Sequence, residues 1–271
     1  MILLVAILVL GPHRSGTSAV AGALHALGLY MDEPGNLMKA QGDNPKGFFE
    51  HYEFFDINNK ILGRFGGSWQ EPPALVPGWE LDPKLQDLRE RAVKLVDRLA
   101  KKPIWGWKDP RTCLTLDFWS TIVPPPVKAV VVVRNPLEVA QSLFKRDTIH
   151  LARGAKLWGI YLARAMERTR GIPRHIVLYE KLCAYTRREL SRMAQFAGLR
   201  TDEGIMKRAV DAVQGSLRHH RGTARDLRAA GDIPEIVQKA YLGIRLYAHL
   251  KKKGMAPDGM EDRVIGTLRS V

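Results

Sequence analysis

The chain has 271 residues, 45% of them hydrophobic, which is enough for one α/β domain with a sizeable core. Its 2 cysteines, Cys113 and Cys183, lie far apart and indicate neither a disulfide framework nor a zinc cluster, so we expect a reducing, cytoplasmic setting. The 42 Lys and Arg residues exceed the 28 Asp and Glu residues and give a net charge of +14, which favours an anionic ligand without choosing among nucleic acid, acidic lipid, and phosphorylated or sulfated molecules.

The first ten residues, MILLVAILVL, are all apolar. They lack a basic start and a small-residue cleavage site, and they are too few to span a bilayer. We therefore predict a buried parallel strand over 2–10 rather than a signal peptide, and we expect no transmembrane segment elsewhere. A helix over 16–28 follows, with one apolar face made by Val20, Ala23, Leu24 and Leu27.

Strand and helix patterns then alternate along the chain. Three more strands are predicted at PIWGWKD (103–109), VKAVVVVR (127–134) and RHIVLY (174–179). Helices are predicted at about 50–62, 84–101, 136–146, 152–170, 186–197, 203–215 and 233–252, and irregular segments at 33–47 and 66–83. Asn135 is the expected N-cap of the helix that Pro136 opens, and Gly198 is expected to end the helix over 186–197.

This alternation predicts a three-layer, P-loop-like α/β fold in which a central parallel sheet is flanked by helices on both faces. We predict a single domain over 1–271, with a helical C-terminal part from about 184. Ligands of such sheets bind at the carboxyl ends of the strands. Every motif described below lies at or just beyond such an end.

The segment GPHRSGTS, residues 11–18, joins the first strand to the first helix. Gly11 and Gly16 have the spacing of the two P-loop glycines, and a glycine-rich turn before a helix N-terminus binds phosphate through backbone N–H groups. Thr17, however, replaces the P-loop lysine, and the basic residue is Arg14. The loop therefore suits a 5′-phosphate or phosphosulfate better than a magnesium-bound triphosphate.

R-S-G-T-S, residues 14–18, resembles the 5′-phosphosulfate loop of the sulfotransferases that use 3′-phosphoadenosine-5′-phosphosulfate (PAPS). Within that family the chain resembles the bacterial type, which is similar to the glycan and tyrosylprotein branch. VVVVRNPLEVAQS resembles the 3′-phosphate element of that family, because Arg134 and Ser142 keep its arginine-to-serine spacing of eight. Similar segments are YEKL (179–182) and GWKDPRT (106–112). The resemblance runs from residue 9 to about 182, and the C-terminal third has no matching motif.

The resemblance implies PAPS as co-substrate, with no metal. It implies that Arg14, Ser15, Gly16, Thr17 and Ser18 bind the 5′-phosphosulfate, and that Arg14 stabilises charge on the bridging oxygen. Arg134 and Ser142 would bind the 3′-phosphate, and Tyr179 would border the adenine. For Arg134 an ion pair with Glu138 or Asp109 is the alternative, and for Tyr179 it is a buried position at the strand end.

The catalytic base is assigned by a further resemblance. G-F-F-E, residues 47–50, is similar to the segment that carries a catalytic glutamate in glycan and bacterial sulfotransferases, so Glu50 is the first candidate, with His51 and Glu53 left open. Lys108 has two interpretations. In one it contacts the sulfuryl oxygens or the acceptor, and in the other it belongs to an internal ion cluster. His13 either touches the sulfuryl group or caps the turn.

Two other functions compete with sulfuryl transfer. One is a P-loop phosphotransferase, or kinase, acting on a small metabolite, and the other is a basic nucleic-acid-binding module, although no nucleic-acid motif is present. We expect a small-molecule, glycan or lipid acceptor and no nucleic acid. The stretch 63–83, with Trp69 and Trp79, either lines the acceptor site or packs in the core. The basic run LRHHRGTAR, residues 217–225, either folds over the nucleotide, binds an acidic acceptor or is a solvated face; oligomeric state is not readable.

Overall fold

The computed structural model describes residues 4–39, 47–214 and 222–271. Within these ranges the strands are β1 (Val5–Leu10), β2 (Ile104–Lys108), β3 (Val127–Val133) and β4 (Arg174–Leu178). The helices of the first half are α1 (Thr17–Ala26), α2 (Tyr52–Arg64), α3 (Gln86–Leu99), α4 (Thr112–Ser120), α5 (Pro136–Asp147) and α6 (Leu151–Arg168). Those that follow are α7 (Tyr179–Ala184), α8 (Thr186–Ala197), α9 (Glu203–Gln214), α10 (Ala224–Ala229), α11 (Glu235–Lys252) and α12 (Met260–Arg269).

The strands form one parallel sheet in the order β2-β1-β3-β4. Because successive side chains of a strand point to opposite faces, the apolar run of β1 serves two cores. Val5, Ile7 and Val9 belong to the core that contains α1, α8 and α9. Ala6, Leu8 and Leu10 belong to the core that contains α2 to α6, α11 and α12. The predicted α/β fold with a central parallel sheet between helical layers is therefore confirmed.

The boundaries mostly follow the sequence. Asn135 caps α5 with its side chain, which accepts the Leu137 N–H at 3.0 Å, and Gly198 ends α8 in a left-handed conformation, as predicted. The apolar side chains of α3 at Leu88, Ala92, Leu95, Val96 and Leu99 are buried. Three predictions need correction. The helix expected from Glu50 begins at Tyr52 with His51 as its N-cap, β3 ends before Arg134, and β4 ends before Tyr179, which instead opens α7.

Four helices were not predicted: α4, α7, α10 and α12. Helix α4 is buried on nearly every side, so its sequence has no polar face to give a helical period. Helices α7 and α10 have six residues each, too few for a pattern. Helix α12 does carry the amphipathic spacing, through Met260, Val264, Ile265 and Leu268.

Gly106 fixes how closely β2 approaches β1. A Cβ atom at this position would lie 2.1 Å from the backbone oxygen of Ile7, which is far inside contact distance. Its own N–H donates to the Tyr30 oxygen at 2.9 Å, so the strand is held on both sides. A side chain here would force the two central strands apart, together with the residues at their carboxyl ends.

We therefore expect Gly106→Ala to lower the free energy of unfolding by about 2 kcal/mol or more, as overpacking of a rigid backbone does. Urea unfolding measures this change. Gly63→Ala is the matched control, because Gly63 lies within α2 with nothing near its absent Cβ, and alanine there should be neutral or stabilising by about 0.5–1 kcal/mol. Equal stability of the Gly106→Ala protein and the wild type would contradict the tight β1–β2 approach.

Candidate active site at the carboxyl edge of the sheet

The loop between β1 and α1 is a closed turn. Gly11 has φ +149°, and a Cβ atom there would lie 2.7 Å from the Val132 oxygen of β3. Its N–H donates to the Sγ atom of Cys113 at 3.2 Å. Ser15 donates to the Pro12 oxygen through both its hydroxyl, at 2.7 Å, and its N–H, at 3.2 Å. The Ser15 hydroxyl hydrogen is thus committed within the loop.

The N-terminus of α1 follows this turn. Gly16 is the N-cap in a left-handed conformation, no side chain caps the helix, and its first turn has no acidic residue. A Cβ atom on Gly16 would lie 2.3 Å from ring carbons of Tyr179. Tyr179 is buried, as its alternative interpretation predicted, and forms the wall behind the loop. An uncapped helix N-terminus with a glycine entry suits an anion.

Arg14 joins the 11–18 loop to the Arg134–Ser142 segment. Its Nε atom donates to the Ser142 hydroxyl at 2.9 Å, across 128 residues of sequence. Its backbone oxygen accepts from Nη1 of Arg134 at 3.1 Å. Arg14 has φ +64°, a left-handed conformation that is unfavourable for a residue with a side chain. The structure therefore brings together the arginine of the first motif and both residues of the second.

Arg134 is held by an acidic neighbour. Its Nε atom donates to Glu138 Oε2 at 2.8 Å, and Glu138 is completely buried. The Arg134 guanidinium carbon lies 5.0 Å from the Tyr179 ring centroid. The ion pair with Glu138, one of the alternatives drawn from the sequence, is thus present, and a phosphate here would add to it or displace it.

The C-terminal part of the chain returns to this place. The Gly222 N–H donates to Glu138 Oε1 at 3.0 Å, and the Asn135 side chain donates to the Gly222 oxygen at 3.1 Å. Residues 217–221 of the basic run lie outside the described residues. The described end of that run is therefore in contact with the N-terminus of α5.

A buried ion pair lies beside the loop formed by residues 11–18. Nζ of Lys108, at the end of β2, donates to Glu50 Oε1 at 2.5 Å, to the Ser18 hydroxyl at 3.0 Å and to the Phe48 oxygen at 3.0 Å. Glu50 Oε2 lies 3.6 Å from Nη1 of Arg111. The internal ion cluster that was the alternative for Lys108 is therefore present, and it includes the candidate base.

Phe49 explains how Glu50 reaches this position. Its ring packs over Gly22 of α1, where a Cβ atom would come within 2.7 Å of the ring. The backbone at Phe49 is left-handed, with φ +51°, and the Glu50 oxygen accepts from the Met38 N–H at 2.7 Å. The aromatic residue thus anchors the segment on α1 and directs Glu50 towards Lys108.

The two other candidate bases are engaged elsewhere. His51 Nε2 contacts Asp32 Oδ2 at 2.8 Å, and its Nδ1 accepts the Glu53 N–H at 3.0 Å, so both ring nitrogens are used. The Glu53 side chain is half-exposed and pairs with Arg91 at 2.7 Å. Both residues hold the start of α2. Of the three candidates, Glu50 is the one in contact with the Lys108 cluster.

The G-W-K-D-P-R-T segment, residues 106–112, holds the Arg111 side chain of this ion cluster in place. Asp109 is fully buried and accepts from Arg111 Nη1 at 2.9 Å and from Asn58 Nδ2 at 2.8 Å. Although burial opposes it, the carboxylates of Asp109 and Glu50 raise the pKa of Arg111. Asn58 was missed by the sequence analysis, yet it is a polar residue on the apolar stripe of α2, which was the available signal.

His13 lies under an aromatic cover. Its ring centroid is 4.4 Å from that of Trp69 and 5.5 Å from that of Tyr161, and the Tyr161 hydroxyl donates to the Trp69 oxygen at 2.9 Å. His13 Nε2 is buried without a hydrogen-bond partner among the described residues. Trp79, by contrast, is buried in the core against Phe65, so the core alternative holds for it. Tyr161 had no sequence signal.

Within residues 4–39, 47–214 and 222–271, no group of three or more His, Cys, Asp or Glu residues is placed to hold a metal ion. In the same ranges, none of the helices has the length and apolar character needed to cross a membrane.

No family model and no curated protein matches the chain. Solved structures to which it is similar include the sulfotransferase domain of the Synechococcus PCC 7002 olefin synthase, at 18% identity and TM-score 0.49 over 99% of this chain and 94% of that one. A Mycobacterium avium sulfotransferase matches at 12% identity and TM-score 0.49 over 91% and 76%. A retinol dehydratase in complex with androsterone and the inactive cofactor PAP matches at 13% identity and TM-score 0.36 over 98% of this chain and 80% of that one. At such identities and TM-scores these likenesses carry no argument about chemistry.

The environment of His13 predicts a pH dependence of stability. Burial, followed by the positive charges of Arg111, Arg146, Lys108 and Arg14, lowers the pKa of His13 well below its usual value. As the pH falls below about 6.5, the unfolded chain binds a proton that the folded chain does not, so the folded state loses up to about 1.4 kcal/mol per pH unit.

His13→Phe keeps a ring against Trp69 and removes the titration. As the pH is lowered from 7.5 to 5.5, we expect the free energy of unfolding of the variant to rise relative to that of the wild type. Urea unfolding of both proteins at each pH measures this difference. The pKa values of His51 and His175 are also lowered, first by burial, but both residues are unchanged in the variant, so their contributions cancel. Parallel pH profiles for the two proteins would contradict the buried, neutral state of His13.

Proposed function

We propose that this chain is a sulfotransferase that moves a sulfuryl group from PAPS to a hydroxyl or amine of an acceptor. The contact between Arg14 Nε and the Ser142 hydroxyl is the observation that carries the proposal. PAPS has anionic groups on both the 5′ and the 3′ positions of one ribose, so its binding requires two anion-binding elements side by side. The contact supports such a pairing of the 11–18 loop with the Arg134–Ser142 element.

The 5′-phosphosulfate would bind at the N-terminus of α1, with Gly16, Thr17 and Ser18 offering backbone N–H groups and hydroxyls. Ser15, whose hydroxyl hydrogen bonds within the loop, would contribute mainly by shaping the turn. Arg14 would contact the phosphosulfate and, through Ser142, the neighbouring 3′-phosphate. This placement gives Arg14 a guanidinium that can bind two anions at once.

Arg134, Ser142 and Tyr179 would hold the rest of the nucleotide. The Glu138 pair orients the Arg134 guanidinium between the Arg14 oxygen and the Tyr179 ring, where it is desolvated and therefore binds phosphate strongly. Tyr179 would act as a wall for the adenine side. The basic run 217–225, which returns to Glu138 at its described end, would add cations over the bound nucleotide.

Glu50 would take the proton of the acceptor. The acceptor oxygen or nitrogen attacks sulfur, the bond from sulfur to the bridging phosphate oxygen breaks, and its electron pair stays on the phosphate. Lys108 contacts both Glu50 and Ser18, so it lies between the proton acceptor and the phosphate loop. Once Glu50 is neutralised by the proton, the Lys108 charge is left to stabilise the departing phosphate.

The acceptor would enter beside His13, Trp69 and Tyr161. An aromatic cover over a polar loop suits the apolar face of a sugar ring or a lipid head region, so a small-molecule, glycan or lipid alcohol is the expected class. A phosphotransferase and a nucleic-acid-binding module stay as the competing functions, and donor binding separates all three.

The donor prediction uses the non-reactive product, adenosine 3′,5′-bisphosphate. At a concentration of 100 times its Kd, a ligand that binds the folded state alone adds about 2.7 kcal/mol, or about 5 °C or more in Tm for a chain of this size. We expect this stabilisation in a thermal shift assay and a much smaller one with 5′-AMP. Equal shifts by both nucleotides, or a larger shift by ATP with magnesium or by duplex DNA, would overturn the PAPS assignment.

Variants of the second motif test the same point. Ser142→Ala should weaken bisphosphate binding by about 1–2 kcal/mol and leave 5′-AMP binding unchanged. Arg134→Ala alone would leave Glu138 buried without its main partner, so Arg134→Gln combined with Glu138→Gln is the cleaner test, with Glu138→Gln as its control. We expect the combined variant to lose about 2–5 kcal/mol of binding relative to that control.

The base prediction concerns turnover. Glu50→Gln should leave donor binding close to wild type and lower turnover by about 10²–10⁴, because glutamine keeps the shape of the side chain but cannot take a proton. A transfer assay with labelled donor and a panel of alcohols, glycans, lipids, phenols and peptides measures it, and folding is checked by urea unfolding.

His51→Ala and Glu53→Gln are the parallel variants. Since both residues hold the start of α2, they should change stability more than turnover per folded molecule. If either abolishes turnover while Glu50→Gln stays active, the base is wrongly assigned and the donor site stands unaffected.

A further inference from the structure

A cavity of about 400 Å³ lies along the outer edge of β4. β4 is the last strand of the sheet within the described ranges, so its outer side pairs with no other strand there. Helices α8 and α11 approach this edge from the two opposite faces of the sheet. The cavity is the space between them, and none of its lining residues belongs to the proposed donor site.

The lining of the cavity is strongly basic. Its cationic side chains come from β4, α7, α8 and α11, and one carboxylate accompanies them. The cations are Arg174, Lys181, Arg192, Lys251 and Lys252, and the carboxylate is Glu189. Glu189 contacts Arg192 at 2.6 Å and Lys252 at 3.4 Å, and Glu261, outside the lining, pairs with Arg174 and lies 3.9 Å from Lys251, so these two carboxylates face five cations. The surplus of positive charge attracts an anion.

Two buried nitrogen atoms of the lining lack a hydrogen-bond partner within the described part of the chain. Arg174 is 9% exposed, and its terminal nitrogens donate to the Met166 oxygen and the Thr169 hydroxyl and pair with Glu261, yet its Nε atom lacks a hydrogen bond among the described residues. His175 Nε2 is likewise without a partner there. Buried polar nitrogens without partners are costly, and because both atoms are shielded from solvent, an anion in the cavity would act on them through its charge rather than by a hydrogen bond.

The cations also oppose one another. Burial and then the charge of Arg174 lower the pKa of Lys251, and burial lowers the pKa of His175. The cavity therefore resists additional positive charge. An anion placed among these groups would relieve the repulsion.

Apart from Gln195 and His175, the remaining lining is apolar. Ile176, Leu178, Phe196 and Ala248 lie beside the cations, and the His175 and Phe196 rings are 5.4 Å apart at a tilt of 32°. A volume of this size accommodates a small molecule. The surface joins an apolar, ring-lined part to a cationic part.

We propose that this cavity binds a small molecule that carries a phosphate or sulfate group on an apolar, ring-containing body. The anionic group would contact the cationic side chains, and the ring would pack against Phe196 and His175. An open strand edge could also add a strand from an acidic peptide, but the helices that flank β4 on both sides favour a compact ligand. The proposal does not depend on the proposed function.

The test uses phenyl phosphate and phenyl sulfate as probes, which separate the two anionic sources. We expect at least one ester to bind the intact protein and to shift the NMR signals of the His175 imidazole, which report on this cavity and not on the phosphate loop. Lys181→Gln combined with Lys252→Gln should weaken that binding by about tenfold or more. Lys181→Arg combined with Lys252→Arg, which keeps both charges, should bind as the wild type does.

Lys239→Gln is a second control, since Lys239 lies on α11 outside the cavity and pairs with Glu235. Urea unfolding verifies that each variant is folded. The proposal is overturned if neither ester moves the His175 signals, if inorganic phosphate binds as tightly as the esters, or if the glutamine pair binds no more weakly than the arginine pair. If an acidic peptide shifts the His175 signals and neither ester does, the site would belong to a protein partner instead.

Discussion

The buried charge of Lys108 is the constraint on which the proposed active site depends. A lysine ammonium inside a protein is stable only when anionic and polar groups surround it. Lys108 meets this requirement through the Ser18 hydroxyl of α1 and through Glu50 and the Phe48 oxygen, which belong to one segment before α2. Because β2 is fixed to β1 by the close approach at Gly106, the position of the ammonium is set by the sheet.

Ion pairs also hold the other cationic side chains at the carboxyl edge of the sheet. Arg134 is paired with Glu138, and Arg111 is paired with Asp109, so these cations are held in place before any ligand binds. Arg14 has an unfavourable backbone conformation and reaches across to Ser142. The proposed site would therefore be pre-organised for anions, because the cost of gathering the cations is met by folding rather than by binding.

Much of the fold was readable from the sequence because its signals are local. Val130 to Val133 form a β-branched run, Asn135 with Pro136 marks a helix start, and Gly198 marks a helix end. Helix α4 was not readable, since a helix buried on nearly every side has no polar face to reveal its period. The helix start near Glu50 was placed too early because the His51 cap depends on its contact with Asp32, which is distant in sequence.

By itself the sequence determined the parallel α/β architecture, the glycine-rich loop and the residues at the strand ends, because propensity, periodicity and turn chemistry act over a few neighbouring residues. The tertiary structure alone decided the partners. It paired Glu50 with Lys108 and Arg14 with Ser142, and it set His13 beneath Trp69. Partners across 58 residues, as for Lys108 and Glu50, are chosen by strand order and helix packing, which leave no periodic trace in the chain.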